Sequence, residues 1–294
     1  MITSVERGVL EHKRGMGAVN SLAPRLLTGS VLIAFIVWVL FRAPHWVFAA
    51  VTIAFIGLGL NEFFALVERK GIVIERWIGL GVGLIIPLSI YLGFEPTKGW
   101  ELFFMVLVFL SLFLLQLRRP DSSQAIVGVS TALFGIFYVS WCFSFLIKLR
   151  FLKGPSLPDG RWLVALLLLA TKGGDIGAYA VGSLFGRHTL IRRISPSKTW
   201  EGLIGGLFFS VGASLAMKPV FQGVPVRHLL ILGLLLGILG QLGDLSESLI
   251  KRDCQAKDSG NLLPGMGGML DVLDSLLFTA PICYFYVRKF LLGA

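Results

Sequence analysis

Only three cysteines punctuate the 294-residue chain, and none forms a CxxC pair or has a histidine nearby at metal-ligand spacing. That argues against a structural zinc site or a disulfide framework. Charge is scarce as well. Asp, Glu, Lys and Arg make up 15% of residues against 55% hydrophobic, a balance that excludes a water-soluble globule of this length. Also missing are an internal repeat and any polar stretch long enough to form a soluble domain. The chain therefore reads as one domain.

What the sequence does have is apolar runs of about 16 to 25 residues, the length that crosses ~30 Å of hydrocarbon at ~1.5 Å per residue. They fall near 26–41, 45–66, 77–94, 100–117, 126–147, 162–185, 202–221, 229–250 and 270–291. A segment in lipid must satisfy its own backbone, so these runs are helices or barrel strands, and they are too continuous for the alternation of barrel strands. The expected fold is an all-α, polytopic integral membrane bundle of about nine transmembrane helices. Residues 1–25 form a basic cytoplasmic segment, and 26–294 form a single transmembrane domain. The basic start (Arg7, Lys13, Arg14, Arg25) resembles that of a signal peptide, but it is too long and no small-residue cleavage site follows Phe41 before the next run, so an uncleaved first helix is expected.

Basic residues between the runs set the orientation. With the N-terminus in the cytoplasm, the inner side collects Arg7, Lys13, Arg14, Arg25, Arg69, Lys70, Arg76, Arg118, Arg119, Arg187, Arg192, Arg193, Lys198, Lys251, Arg252 and Lys257, which is 16 against 10 outside. The positive-inside rule favours that arrangement, although the 148–161 loop (Lys148, Arg150, Lys153, Arg161) falls on the other side. The net charge of +10 thus has a topological explanation that calls for no nucleic acid. Gly79/Gly83, Gly202/Gly206 and Gly233/Gly237 have the four-residue spacing that lets membrane helices approach closely.

Charges inside apolar helices are costly, about 2.5–3.5 kcal/mol each at the helix centre, and so they mark function. The early runs hold few, chiefly Glu62, and the second half holds many. Lys172-Gly-Gly-Asp175-Ile-Gly-Ala-Tyr179 places an acid near mid-membrane. Lys172 and Asp175 could neutralise each other three residues apart, yet the flanking glycines suit a ligand approaching the backbone better. The loop Ser195-Pro-Ser197-Lys198-Thr199-Trp-Glu-Gly202 precedes a long apolar helix. Each hydroxyl there could be an ordinary cap, but together with Lys198 and the free N–H groups of a helix start they suit phosphate oxygens. No Walker loop is present.

Further on, spacings of four and seven put Asp244, Ser248 and Lys251 on one helical stripe. Asp271 and Asp274 share a face at the start of the last run. Favourable interaction with the helix dipole explains one of them; magnesium held by one or two carboxylates plus substrate phosphates explains both. The picture is a cavity open to the cytoplasm with Asp175 deep, Asp244 intermediate and Asp271/Asp274 near the rim, among Lys198, Lys251, Arg252 and Lys257. Such a mixture points to phosphoryl or nucleotidyl transfer on a membrane-embedded substrate.

The stretch Ser248-Leu-Ile-Lys251-Arg252, Lys257-Asp258-Ser-Gly260, Leu263-Pro264-Gly-Met266-Gly267-Gly268-Met269-Leu-Asp271-Val272-Leu-Asp274 resembles, in order and spacing, the signature of the phosphatidate cytidylyltransferase family. The Ser195–Gly202 and Asp175–Tyr179 segments are similar to further family motifs, so the likeness covers roughly 170–280, the expected catalytic half. Two positions depart: Met266 stands where the family usually has His, and Val272 where it has Arg.

The resemblance implies Mg2+-dependent reaction of CTP with phosphatidic acid to give CDP-diacylglycerol and pyrophosphate, at a cytoplasm-facing site of a multi-pass protein of the cell (inner) membrane. A homodimer is compatible with it. It implies metal binding by Asp271 and Asp274, with Asp244 and Asp175 in support, and places Lys251 and Lys198 with the acids in catalysis. Ser195, Ser197, Thr199, Ser248, Arg252, Lys257 and Asp258 become the candidates for substrate phosphates. Met266→His and Val272→Arg are expected to change the rate modestly. Two other readings stay open: a CTP-dependent lipid or polyprenol kinase, and an ion-coupled transporter with Asp175 and Asp244 on its path.

Overall fold

Among the described residues, each apolar run contains a helix. The computed structural model describes residues 27–93, 100–118, 123–155 and 157–293; the basic segment 1–25 lies outside them. In chain order the helices are α1 (Leu27–Phe41), α2 (His45–Arg69), α3 (Arg76–Tyr91), α4 (Trp100–Gln116), α5 (Ala125–Phe151), α6 (Gly160–Phe185), α7 (Trp200–Ala216), α8 (Val226–Asp253) and α9 (Met269–Leu291). Helix α5 contains a π-helical stretch at Ile136–Trp141, and α9 ends in one at Val287–Leu291. By length and composition α2, α5, α6, α8 and α9 can cross a membrane, whereas α1, α3, α4 and α7 are shorter apolar helices.

The fold is not purely helical. Between α6 and α7 the chain makes an antiparallel ribbon of β1 (Thr189–Ile191) and β2 (Ser195–Thr199), with Thr189 opposite Thr199 and Ile191 opposite Ser195. This segment reads as a loop in the sequence because strands of three to five residues are too short to carry a periodic signal.

Helix α9 occupies the centre, 72% buried over its apolar window against 44–50% for the other long helices. It packs on α2, α5, α6 and α8. The outer faces stay greasy, with Trp77, Leu117, Ile126, Leu184 and Phe208 each more than 70% exposed. A protein in water would not leave so much large apolar surface open, and lipid covers it without cost.

Successive helices run in opposite directions, so their ends collect at two poles. At one, Thr28 Oγ1 bonds to the Pro264 carbonyl at 3.1 Å and Lys70 ion-pairs with Asp253. At the other, ring contacts join Phe41 to Trp162 at 4.8 Å and Tyr91 to Phe151 at 5.9 Å. The basic residues that count against the expected orientation sit at this second pole, and packing accounts for two of them. Arg150 is buried with its Nη1 on Asp159 Oδ1 at 3.0 Å, and the buried Lys148 lies 4.8 Å from the centre of the Phe145 ring. Asp159 also caps α6, accepting from Arg161 N at 2.9 Å.

The paired glycines act in packing. A Cβ on Gly83 would come within 2.3 Å of Leu60, on Gly206 within 2.9 Å of the Gly174 carbonyl, and on Gly233 within 2.7 Å of Val211 Cα. The glycines around Asp175, read from sequence as room for a ligand, do the same: Gly177 leaves space for Phe209, whose ring atoms and Cβ would lie 2.4–2.7 Å from an added Cβ, and Gly174 faces Gly206. The surplus glycine belongs to the α6–α7 interface.

Gly206→Leu is therefore expected to overpack that interface and destabilise the fold by about 1–3 kcal/mol or more, read as a lower melting temperature in detergent. Gly212→Leu, where an added Cβ meets nothing within 4 Å, is the control expected to melt like the parent.

Candidate active site

The start of α9 organises the first pole. A helix N-terminus leaves four N–H groups without intrahelical partners, and here two carboxylates take three of them. Glu62 of α2 accepts from Met269 N at 2.9 Å and Leu270 N at 2.8 Å. Asp271 accepts from Gly268 N at 2.7 Å, one half of a capping box. Ser259 ties the two acids together, its Oγ lying 2.9 Å from Glu62 Oε2 and from Asp271 Oδ2. Gly267 and Gly268 permit the approach. Gly267 has φ +97° and a Cβ there would sit 2.5 Å from Asp271 Oδ2, while a Cβ on Gly268 would sit 2.3 Å from Glu62 Oε2.

Asp271 and Asp274 consequently do different things. Asp271 spends Oδ2 on the cap and Oδ1 on Lys251 Nζ at 2.5 Å. Asp274, one turn on, points into a group with Asp244 and Glu247 of α8, whose carboxylates each offer an oxygen within 4.8 Å of the others. Among the described residues this is the group of acids able to share an ion. Asp274 is 8% exposed and Glu247 is completely buried. Glu247 Oε2 is in ion-pair contact with Lys251, and its Oε1 has no hydrogen-bond partner. A carboxylate so enclosed and under-satisfied is costly, and hard oxygen ligands of this kind fit Mg2+ or a similar cation. Asp274 is more enclosed than a rim position implies, and the Asp175 and Asp244 side chains are 29% and 32% exposed.

Three lysines reach the acids from different elements. Lys198 of β2 pairs with Asp244 Oδ2 at 2.8 Å. Lys251 of α8 pairs with Glu247 and Asp271. Lys172 of α6 pairs with Asp175 Oδ2 at 3.3 Å and with Asp274 Oδ1 at 3.6 Å. Asp175 also accepts from Gln241 Nε2 at 3.4 Å and from Ser275 Oγ at 3.1 Å. Ser248 Oγ lies 3.4 Å from Asp244 Oδ1, one turn along the expected stripe.

Beside the acids a cavity of about 410 Å³ opens between α6, α8, β2 and α7, lined by Asp175, Tyr179, Ser183, Ser197, Lys198, Thr199, Gln241 and Asp244 among others. Thr199 caps α7, accepting from Gly202 N at 3.1 Å. Glu201, at the aqueous edge of α7, binds the His188 ring at 2.6 Å and accepts from Arg187 N, closing the ribbon onto the helix.

Of the residues expected around phosphates, Ser197, Thr199 and Lys198 line the cavity. Ser195 opens β2 opposite Ile191. Arg252 spans from α8 to the Ile194 carbonyl at 3.5 Å, bracing the ribbon. Lys257 and Asp258 are exposed on the loop before α9 and do not line the cavity.

Four participants escape the sequence reading: Glu247, Gln241, Ser275 and the contacts of Glu62. Glu247 had a signal, since it stands three residues after Asp244 and four before Lys251, on the same stripe. Glu62 had one too, as a lone acid in an apolar run. Gln241 and Ser275 look like any polar residue in a helix.

The profile of the cytidylyltransferase family matches residues 23–290. Among curated relatives, a protein of Escherichia coli (strain K12) named uncharacterized protein YnbB is 35% identical over 246 residues, covering 83% of this chain and 80% of its own. The phosphatidate cytidylyltransferase of Synechocystis sp. is 36% identical, covering 82% and 88%, and that of Bacillus subtilis is 32% identical, covering 90% and 97%. A match running from the first helix to the last takes in the acidic group, the lysines and the cavity together, and this chain belongs to the cytidylyltransferase family.

Proposed function

We propose that the chain is a phosphatidate cytidylyltransferase that makes CDP-diacylglycerol and pyrophosphate from CTP and phosphatidic acid. The observation that carries this reading is the joining of a three-carboxylate group, two of its members buried, to a lysine-bearing cavity of about 410 Å³ in the wall of an apolar bundle. The names of the relatives support cytidylyl rather than γ-phosphoryl transfer.

In the reaction an oxygen of the lipid phosphate attacks the α-phosphorus of CTP, and the bond to the β-phosphate breaks to release pyrophosphate. No protein nucleophile is needed, so the residues position and neutralise. Asp244, Glu247 and Asp274 would hold Mg2+, with Asp175 supporting through Lys172; the ion supplies charge neutralisation at phosphate oxygens. Lys198, at the cavity wall on Asp244, can turn to a phosphate. Ser197 and the N–H groups at the start of α7 offer further donors. Tyr179, 77% exposed on α6, stands where the cavity opens to the outside of the bundle, which would give a diacyl substrate a route.

The departures from the family signature are unequal. Met266 sits 4.0 Å from where a Cβ on Gly29 would lie, at the first pole. Val272 lines a small apolar crevice with Phe48, Val164 and Leu276. Arginine at 272 would set a guanidinium among these side chains, so Val272→Arg tests stability more than chemistry. For topology, all nine helices cross, with the acidic pole toward the cytoplasm.

Purified protein given labelled CTP, phosphatidic acid and Mg2+ is expected to form CDP-diacylglycerol and pyrophosphate; CDP with a phosphorylated lipid would mean a kinase instead. Asp244→Asn and Asp274→Asn should each cut turnover by about 100-fold or more while melting near the parent temperature. Asp271→Asn and Glu62→Gln should lower the melting temperature as well, because each loosens the start of α9.

Cys254 is a poor reporter of sidedness because it is buried. A chain whose native cysteines are replaced and which carries Arg193→Cys, at an exposed position in the ribbon turn, should react with a membrane-impermeant maleimide only after the cytoplasmic face is opened. Reaction in intact cells would invert the topology.

A further inference from the structure

Lys172 needs more explanation than a self-neutralising pair. Its ammonium leaves α6 to reach α9, donating to Ser275 Oγ at 2.7 Å, and stands 3.3 Å from Asp175 Oδ2 and 3.6 Å from Asp274 Oδ1. Ser275 Oγ in turn donates to Asp175 Oδ2 at 3.1 Å, and Gln241 holds Asp175 Oδ1 at 3.4 Å. Both Asp175 oxygens are thus engaged, and none of this set is spare.

Asp274 has a second allegiance, to the group with Asp244 and Glu247. One carboxylate is therefore shared between an ammonium and a candidate ion site. Enzymes with paired metal ions use shared ligands in the same way, with the ions ~3.5–4 Å apart. Here a cation tied to the backbone stands beside the shared carboxylate. We infer that Lys172 is a built-in cation that positions Asp274 and limits the acidic cluster to a single divalent ion, an inference resting on the reading of Asp244, Glu247 and Asp274 as an ion site.

Two physical consequences follow from the tether. The ammonium cancels one of the negative charges that would draw a second ion, and a divalent cation beside it would meet like-charge repulsion inside an apolar bundle, where screening is weak. The ammonium also pins Asp274 whether or not an ion is bound, which spares the site the reorganisation of a free carboxylate. Lys172 acts through Asp274, so it is a positioning residue.

The test is Mn2+ titration of the full-length protein in detergent, read by electron paramagnetic resonance, which counts bound ions and shows spin coupling when two lie a few Å apart. The parent and Lys172→Arg are expected to bind one ion with an uncoupled spectrum. Lys172→Met should bind two, spin-coupled. Lys172→Met combined with Asp175→Asn regains the parent charge balance and should return to one. A coupled pair in the parent overturns the inference whatever the variants do, as does a single ion of unchanged affinity in a Lys172→Met protein that melts like the parent. If Lys172→Met does not fold, a second ion in the charge-balanced double variant overturns it, and a single ion there with a single ion in the parent upholds it. No ion in any form removes the ion site itself, an outcome distinct from one ion in all of them.

Discussion

Charge compensation in an apolar interior is the constraint on which the rest of this structure depends. A carboxylate among hydrocarbon side chains must find a counter-charge or several hydrogen bonds, since neither water nor screening is at hand. Asp175, Asp244, Glu247, Asp271 and Asp274 are answered by Lys172, Lys198 and Lys251, drawn from α6, β2 and α8. Three ammonium groups face five acids, a surplus of carboxylates that suits a divalent cation.

The constraint also explains the shape of the first pole. The N-terminus of α9 is the positive end of the most buried helix, and Glu62 and Asp271 meet it with oxygens on three of its N–H groups. Glycine at 267 and 268 follows from that arrangement, because any Cβ there would fall on a carboxylate oxygen. A run of Pro-Gly-Met-Gly-Gly that looks like a flexible turn is thus a close fit around two acids. Further from the pole, the α6, α7 and α8 backbones approach through Gly174, Gly206 and Gly233, which brings Asp175, Lys198 and Asp244 into one cavity. Packing by small residues and placement of charge are in this protein one problem, since the first sets the distances the second requires.

Much of the fold was legible because a membrane constrains sequence so strongly. All nine runs proved helical and within a few residues of their expected bounds, since a long apolar stretch has no other way to satisfy its backbone. The composition and hydropathy also account for the exposed apolar faces of the helices, and the charges of the second half are the ones the structure gathers at the first pole. Whether α1, α3, α4 and α7 cross was not settled by apolarity, because they are shorter than the five long helices. The β1–β2 ribbon was hidden, being too brief for any periodic pattern.

Within the site the sequence supplied the residue types and left their partners open. Asp271 and Asp274 share a spacing that pairs them on paper, and it took the position of α2 to give Glu62 and Asp271 to the helix start while α8 gave Asp274 two other acids. The glycines near Asp175 carried no mark to say whether a ligand or Phe209 would fill the space beside them. Lys172 and Asp175 were visible as neighbours three residues apart, but the reach to Ser275 and Asp274 spans about a hundred residues of chain. Local periodicity fixes which face of a helix a side chain occupies; which other helix lies opposite that face is set by packing over the whole bundle, and for buried charges that choice decides the function.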